Sequence, residues 1–379
     1  MLKATLHESI VDINRADWDR LGSDPLSSHA VLATLEQVAL PGVRTWCATL
    51  EDVHGRIVAA APIARVEVDA ERLTHGLFRT LIKTVRKVCP GFLRTALMIC
   101  GTPLSVGNPP VRLARGLDFA PILEQLAGLL EQLGKREDAP WLAFKEFPDE
   151  QLEDARRALA GNGSLWFIAP SEPNSALGIE WSSYDEYLRN LRSHYRYKIR
   201  SAARTLARDG VNIDVVPLAK GYDRTLHSLY EAVVDRAAVQ LERLTPEFFM
   251  VLGQAYGDAA QLIRFSRDGK VIGWIAMLVL GDTAYDLFHG IDYAENNRAA
   301  LYFNQLAEAV RFSIRSGARR LSLGQSTEIA KARFGAQSIP LWVAVRHLNP
   351  IVSRLLRVGR RFLFPAKKVP PRHVFRQRD

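Results

Sequence analysis

Cysteine is scarce in this sequence and long apolar runs are missing. The 379 residues include three cysteines, Cys47, Cys89 and Cys100, an odd number at no metal-ligand spacing. That argues against a disulfide framework or a cysteine-bound metal, and makes a reducing, cytoplasmic setting the default. No window approaches the roughly 18 apolar residues of a spanning helix. The opening MLKATLHESIVDINRADW scatters charges where a secretory leader would have an apolar centre. No His/Cys/Asp cluster points to a metal, and no serine or cysteine constellation points to a covalent intermediate. GQSTE at 324–328 begins like a nucleophile elbow but lacks its final glycine. Acids are absent between Glu71 and Asp118, a stretch that holds Arg72, Arg79, Lys83, Arg86, Lys87, Arg94, Arg112 and Arg115.

What remains is an ordinary globular composition, 47% hydrophobic and 24% charged. The length suits two domains of about 150–200 residues each. The net charge of +9 is local. Residues 351–379 hold nine Lys/Arg and one acid, and removing these from the 50 basic and 41 acidic residues leaves 41 and 40 in 1–350. The body is nearly neutral, which argues against a duplex nucleic-acid surface, since such binding relies on many phosphate contacts.

The order of predicted elements repeats. A strand near 3–10 leads to helices at 15–21 and 28–39, a hairpin of strands at 43–52 and 55–68, the strand TALMICG, a helix near 119–135, WLAFKEF, a helix near 149–160 and SLWFIAP. From 211 come VNIDVVP, helices at 222–237 and 245–257, two strands turning at Asp268-Gly269, TAYDLFHGI, a helix over 298–316, RRLSLG, a short helix near 327–334 and LWVAVRHL. Two rounds of one pattern predict two copies of a mixed α/β (α+β) unit, each a mostly antiparallel mixed sheet flanked by helices. The expected division is 1–178, 179–348 and a basic amphipathic tail 349–379, with a basic amphipathic insertion near 72–94 and a helix 184–209 leading into the second unit.

This order, with PLSSHAVLATLEQ near the start, IEWSSYDEYLRNLRSHYRYKIRSAARTLARDG, and LSLGQSTEIAKARFGAQSIPL with Gly324, Lys331, Phe334 and Gly335, resembles the FemABX-like tandem-GNAT proteins. The resemblance spans roughly residues 20–350. It implies an acyltransferase fold whose donors include acyl-CoA and aminoacyl-tRNA, with the donor cleft where the fourth and fifth strands of a unit splay. The cofactor pyrophosphate would sit at the amino end of the following helix, where free N–H groups and the dipole suit an anion. In the second unit that place is YDLFHGIDYAENNRAALYF. The family's glycine-rich pyrophosphate loop is replaced by Asn296, Asn297, Arg298, Ala299 and Ala300, whose small residues still permit close approach and whose arginine supplies charge. The first unit has CGTPLSVGNPPVR at the matching place and is expected to bind no cofactor.

Acyl transfer to an amine needs an oxyanion donor and a route for the amine proton. Asp286 and His289, three apart on a strand, are expected on opposite faces, so that only one faces the cleft. His289 is the expected proton acceptor, because imidazole titrates near neutrality; a structural histidine is the competing reading. Tyr302 could protonate a leaving thiolate or belong to the core. Gln325 and Ser326 are candidate polar contacts, and Lys331 either meets a substrate carboxylate or makes a structural ion pair.

Arginines recur at every fourth position of 192–208, flanking an apolar stripe of Leu188, Leu191, Tyr195, Ile199, Ala202 and Leu206. Either the row is a solvated face paired with acids, or its amino-terminal part, with Arg196 and Arg200, meets a phosphate-bearing donor. Two further segments, 75–89 and the helix after Asn349-Pro350, set apolar residues against arginines and lysines. In the second, Ile351, Leu355, Val358 and Phe362 oppose Arg354, Arg357, Arg360 and Arg361. Each could pack on its own domain, but the pair resembles interfacial helices on an anionic leaflet. Three functions follow as expectations. The first is N-acyl transfer from acyl-CoA or an acyl carrier to a primary amine, a lipid amine in particular, without a metal. The second is aminoacyl transfer from charged tRNA to a cell-wall peptide. The third is a silent binding protein of the same fold.

Overall fold

The computed structural model describes residues 2–22, 24–69, 80, 84–87, 94–104, 107, 109–160, 164–237, 243–364, 370 and 372–376. The strands are β1 (Lys3–His7), β2 (Val43–Glu51), β3 (Ile57–Asp69), β4 (Arg94–Cys100), β5 (Arg112–Leu113), β6 (Trp141–Pro148), β7 (Phe167–Pro170), β8 (Asn174–Gly178), β9 (Asn212–Pro217), β10 (Ala260–Arg267), β11 (Lys270–Leu280), β12 (Thr283–Ile291), β13 (Arg320–Ser322), β14 (Gln337–Ile339) and β15 (Leu341–His347). One sheet has the order β1-β2-β3-β4-β6-β15-β7 with β5 against β3; the other has the order β14-β8-β13-β12-β11-β10-β9. Each is antiparallel except for one parallel pair, β4 with β6 and β12 with β13. The doubled, mixed α/β architecture is therefore the one the repeat predicts.

In the first unit, helix Phe119–Arg136 starts where Asp118 accepts from the Ala120 N–H. It buries Ile122, Leu123, Leu126, Leu130 and Leu133 in one core with Trp46, Met98 and Phe144. Their spacing of three and four is one helical face, and each such side chain contributes about 1.5–3 kcal/mol when buried. In the second unit, Leu306, Val310 and Ile314 of helix Leu301–Arg315 share a core with Ile275, Met277 and Leu321. A further group of rings, Tyr222, Tyr230, Phe249, Trp274 and Phe288, packs at centroid distances of 4.5–6.4 Å. Gly290 is required there, since a Cβ would lie 2.1 Å from the Trp274 indole nitrogen.

The linear division at 178 and 348 is corrected by strand pairing. The first unit is 1–172, 238–243 and 340–367, and the second is 173–237, 244–339 and 368–379. β8 pairs with β13 and β14, whereas β15 finds β6 on one edge and β7 on the other. Backbone groups on both edges of β15 are thereby satisfied, which the chain order alone does not disclose. Nor is 349–379 a single appendage. Helix Pro350–Leu363 sits in the first unit, where Ser353 donates to the His347 carbonyl at 2.8 Å. Val374 is buried in the second unit's core, and the Phe375 ring lies 5.0 Å from Trp181 in space that a side chain at Gly335 would take. The expected helix 184–209 is two, Tyr184–Asn190 and Ser193–Arg208. They break at Leu191, whose backbone is extended and whose side chain is buried. The basic segment 72–94 lies outside the described residues apart from Thr80, 84–87 and Arg94.

Candidate functional site

β12 and β13 run parallel only from Thr283↔Arg320 to Tyr285↔Ser322. β13 then ends and the chain turns away at Gly324, with φ of +67°, while β12 continues to Ile291 beside β11 alone. This is the splay at which the site forms. Opposite β11 the register jumps from Ala276↔Phe288 to Met277↔Asp286. The extra residue, Leu287, is a β-bulge, and it restores Asp286 and His289 to one face. The expectation that they lie on opposite faces is thus corrected, because the period of two is broken between them.

On that face His289 Nε2 lies 2.9 Å from Asp286 Oδ1, with side-chain exposures of 15% and 0%. The contact is bent away from a linear hydrogen bond, so neither carboxylate oxygen has a well-aligned donor among the described residues. His289 Nδ1 meets Gln305 Oε1 at 3.1 Å. The Tyr302 ring stands edge-on to His289 at 5.4 Å, and its hydroxyl is 2.5 Å from Thr327 Oγ1. Burial raises the Tyr302 pKa, which keeps the phenol a neutral donor.

The second wall follows β13. Ser326 and Thr327 are consecutive left-handed residues that are not glycine, with φ of +62° and +53°, a conformation that costs of order 1–3 kcal/mol each and gathers at functional sites. Both are exposed, and Gln325 is half-buried. Lys331, on the short helix Glu328–Lys331, donates from Nζ to the carbonyls of Gly324 (3.1 Å) and Gln325 (2.7 Å). Burial pulls its pKa down to about 8 against the opposing fields of Asp286 and Glu328. A lysine with one N–H left over, two neutral hydroxyls and a histidine–carboxylate pair can together hold an oxyanion and move a proton.

The other expected contacts fall nearby on helix Tyr293–Ala299. Asn297 and Arg298 are exposed, Arg298 pairing with Asp209 at 3.3 Å. Ala299 is fully buried, and Ala300 takes φ of +48° where this helix meets Leu301–Arg315. Asn296 Oδ1 accepts from the Tyr302 N–H at 2.9 Å, and Asn304 Nδ2 donates to the Ala299 and Ala300 carbonyls. Arg196 donates to the carbonyls of Arg189 and Leu191, closing the end of helix Tyr184–Asn190. Arg200 is exposed. No group of three or more metal-ligating side chains occurs among the described residues. Asn304, Gln305, Thr327 and Glu328 escaped the sequence reading. The signal for the first two was there: paired amides interrupting the apolar face of helix Leu301–Arg315.

Residues 193–332 match the family model described as Acetyltransferase (GNAT) domain. FemX shares the fold with a TM-score of 0.56 at 12% identity, covering 91% of this chain and 98% of that one. The C-terminal domain of a putative lysylphosphatidylglycerol synthetase from Agrobacterium fabrum gives 0.52 at 12%, covering 96% and 100%. A tandem GNAT protein from the clavulanic acid biosynthesis pathway gives 0.50 at 12%, covering 92% and 99%. No curated protein matches. The doubled sheet is the fold seen in that tandem GNAT protein, and the second splay lies within the stretch that the GNAT domain model matches. The likeness to FemX is one of fold.

Proposed function

We infer that the protein transfers an acyl or aminoacyl group to a primary amine carried by a lipid, at an anionic membrane surface. The observation that carries the chemistry is the convergence of Asp286, His289, Tyr302 and Lys331 at the β12/β13 splay. Asp286 and His289 form the proton-handling pair. Lys331, Tyr302 and Thr327 supply N–H and O–H groups to the developing oxyanion and the leaving atom, and Gln325 and Ser326 line the entrance. The lipid assignment draws on helix Pro350–Leu363. Its outer stripe leaves Ile351 at 63%, Leu355 at 68% and Val358 at 84% exposed, with Arg354, Arg357 and Arg360 also exposed. Apolar side chains in the interface and arginines over anionic headgroups are how such a helix binds. The fold neighbour described as a putative lysylphosphatidylglycerol synthetase fits a lipid acceptor. No helix among the described residues is long and apolar enough to cross a membrane.

For the donor, acyl-CoA would place its pyrophosphate near Asn297, Arg298, Ala299 and Ala300, with Arg196 and Arg200 as further cations. The Asn296 cap on the Tyr302 N–H favours a second reading. That amide is already occupied, and a charged tRNA, which brings an ester without a pyrophosphate, does not need it. A cell-wall peptide amine is the acceptor in this second reading. Lipid profiling of cells with and without the protein tests the first, expecting an acylated aminolipid that disappears with the gene. An unchanged lipid profile, together with amide formation on a peptide from aminoacyl-tRNA, would replace it with the second.

A further inference from the structure

Gln305 reports which nitrogen of His289 carries hydrogen. The glutamine is fully buried, and its Nε2 donates to two backbone carbonyls, Trp274 at 3.2 Å and Gly290 at 3.0 Å. A primary amide has two N–H groups, so both are in use. Turning the amide over would set Oε1 against two carbonyl oxygens, so the network fixes its orientation. The atom left to face His289 Nδ1, at 3.1 Å, is therefore Oε1, which has only lone pairs to offer. Nδ1 must bear the hydrogen. At the other side of the ring, Nε2 stands 2.9 Å from Asp286 Oδ1. A neutral imidazole protonated at Nδ1 has a lone pair at Nε2, and its close approach to a buried carboxylate calls for one further proton on the pair, although the bent contact makes no linear bridge.

The geometry points to Gln305 as a positioning residue that holds His289 with its hydrogen at Nδ1. As a result His289 and Asp286 together hold one proton besides that at Nδ1, and the pair's remaining capacity to accept lies on the carboxylate rather than the imidazole. This inference rests on the reading of Asp286 and His289 as the proton-handling pair and assigns the parts within it. The titratable groups facing the pair are Tyr302 from helix Leu301–Arg315 and Glu328 and Lys331 from the following wall. β11 contributes the apolar Ile275 and Met277 to the core on this side. Asp286 acts electrostatically on both Tyr302 and Lys331, so the proton count of the pair sets the field that these two donors feel. The arrangement follows the general rule that the bond made by one ring nitrogen decides the state of the other.

Long-range proton–nitrogen spectra of the full chain labelled with 15N-histidine, recorded near neutral pH without substrate, test this. The His289 signal is assigned by its loss in His289→Asn. Wild type should show Nδ1 protonated. Asp286→Asn, which can offer an N–H to Nε2, should give the neutral ring with hydrogen at Nδ1 alone. Gln305→Met should lose the Nδ1 hydrogen and move to a ring protonated only at Nε2, facing the carboxylate. A wild-type ring with bare Nδ1 and a single hydrogen at Nε2 overturns the proposal. Should Gln305→Met not fold, the wild-type and Asp286→Asn spectra decide it. Because the readout needs no turnover, a protein without transferase activity refutes the functional reading while the nitrogen spectra still settle the protonation state.

Discussion

Among the described residues each unit has a single parallel strand pair, and beyond each pair stands a buried lysine. In the first unit the pairing ends at Cys100↔Phe144. Lys145 follows at once and donates to the carbonyls of Thr102 and Leu104. Residues 101–104 are all buried, so the chain leaving β4 fills its own splay. In the second unit Lys331 also donates to two carbonyls, but its surroundings are Asp286, His289 and the hydroxyls of Tyr302 and Thr327, with 326 and 327 exposed. Strain does not separate the two, since Glu146 in the first unit is left-handed as well, with φ of +66°. The opening at a parallel pair belongs to the fold. Its chemistry depends on what the next few residues place in it.

The largest expected effect tests that contrast directly. Asp286→Ala and His289→Ala should each lower turnover by roughly 100-fold or more while donor affinity stays largely intact, in line with the contribution of a positioned proton-transfer group. Lys145→Met should leave turnover unchanged but lower the melting temperature, because unsatisfied buried carbonyls cost about 1–3 kcal/mol each. Steady-state rates beside thermal melts measure both. Equal loss of turnover from the two units would erase the distinction between a filled splay and a working one.

The two lysines are next. The folded-state pKa of Lys331 is lowered from 10.5 to about 8 by burial. Between those values the unfolded chain holds the proton and the folded one does not, so stability should rise as pH climbs from about 8 towards 10.5. Below pH 8 the full penalty of burying the charge is present, a few kcal/mol in order of magnitude. Denaturant unfolding across this range should show the rise in wild type and its loss in Lys331→Met; a flat wild-type profile would contradict the burial of this ammonium.

The two parts of the carboxyl-terminal segment should separate next. Replacing Ile351, Leu355 and Val358 together by serine should weaken co-sedimentation with anionic vesicles and leave the melting temperature unchanged. Val374→Ser should do the reverse, forfeiting about 1.5–3 kcal/mol of buried side chain. Wild-type protein that fails to sediment at low salt would end the membrane proposal. The smallest effect belongs to Arg200 and Arg204, exposed on helix Ser193–Arg208. Alanine at either should change stability by no more than about 0.5 kcal/mol. If tRNA is the donor, the salt dependence of RNA binding should become shallower; an unaltered slope takes both arginines out of that contact.

Much of this was legible in the sequence, where local pattern decides. TAYDLFHGI reads as the strand that β12 is, and the expected helix at 119–135 is observed at Phe119–Arg136. Gly324 and Lys331 were marked by the resemblance, and Asp286 and His289 by their chemistry at the end of a strand, as alternatives rather than as a pair. What was not legible depends on partners distant in the chain. The bulge at Leu287 exists only in relation to β11, and it reverses the expected facing of two residues. The role of Gln305 requires the carbonyls of Trp274 and Gly290, and the home of β15 requires the free edges of β6 and β7. Val374 and Phe375 look like the end of a basic tail until Gly335 is seen to leave room for a ring.

The position of β15 has a consequence for how the protein is made. A ribosome releases all seven strands of the second sheet, β8 to β14, before residues 341–347 emerge. Until then β6 and β7 wait with the edges that β15 will occupy unpaired, and such edges are templates for pairing with other chains. The half of the molecule synthesised first is therefore the half completed late. A fragment cut at the linear boundary, expressed alone, carries that open gap permanently.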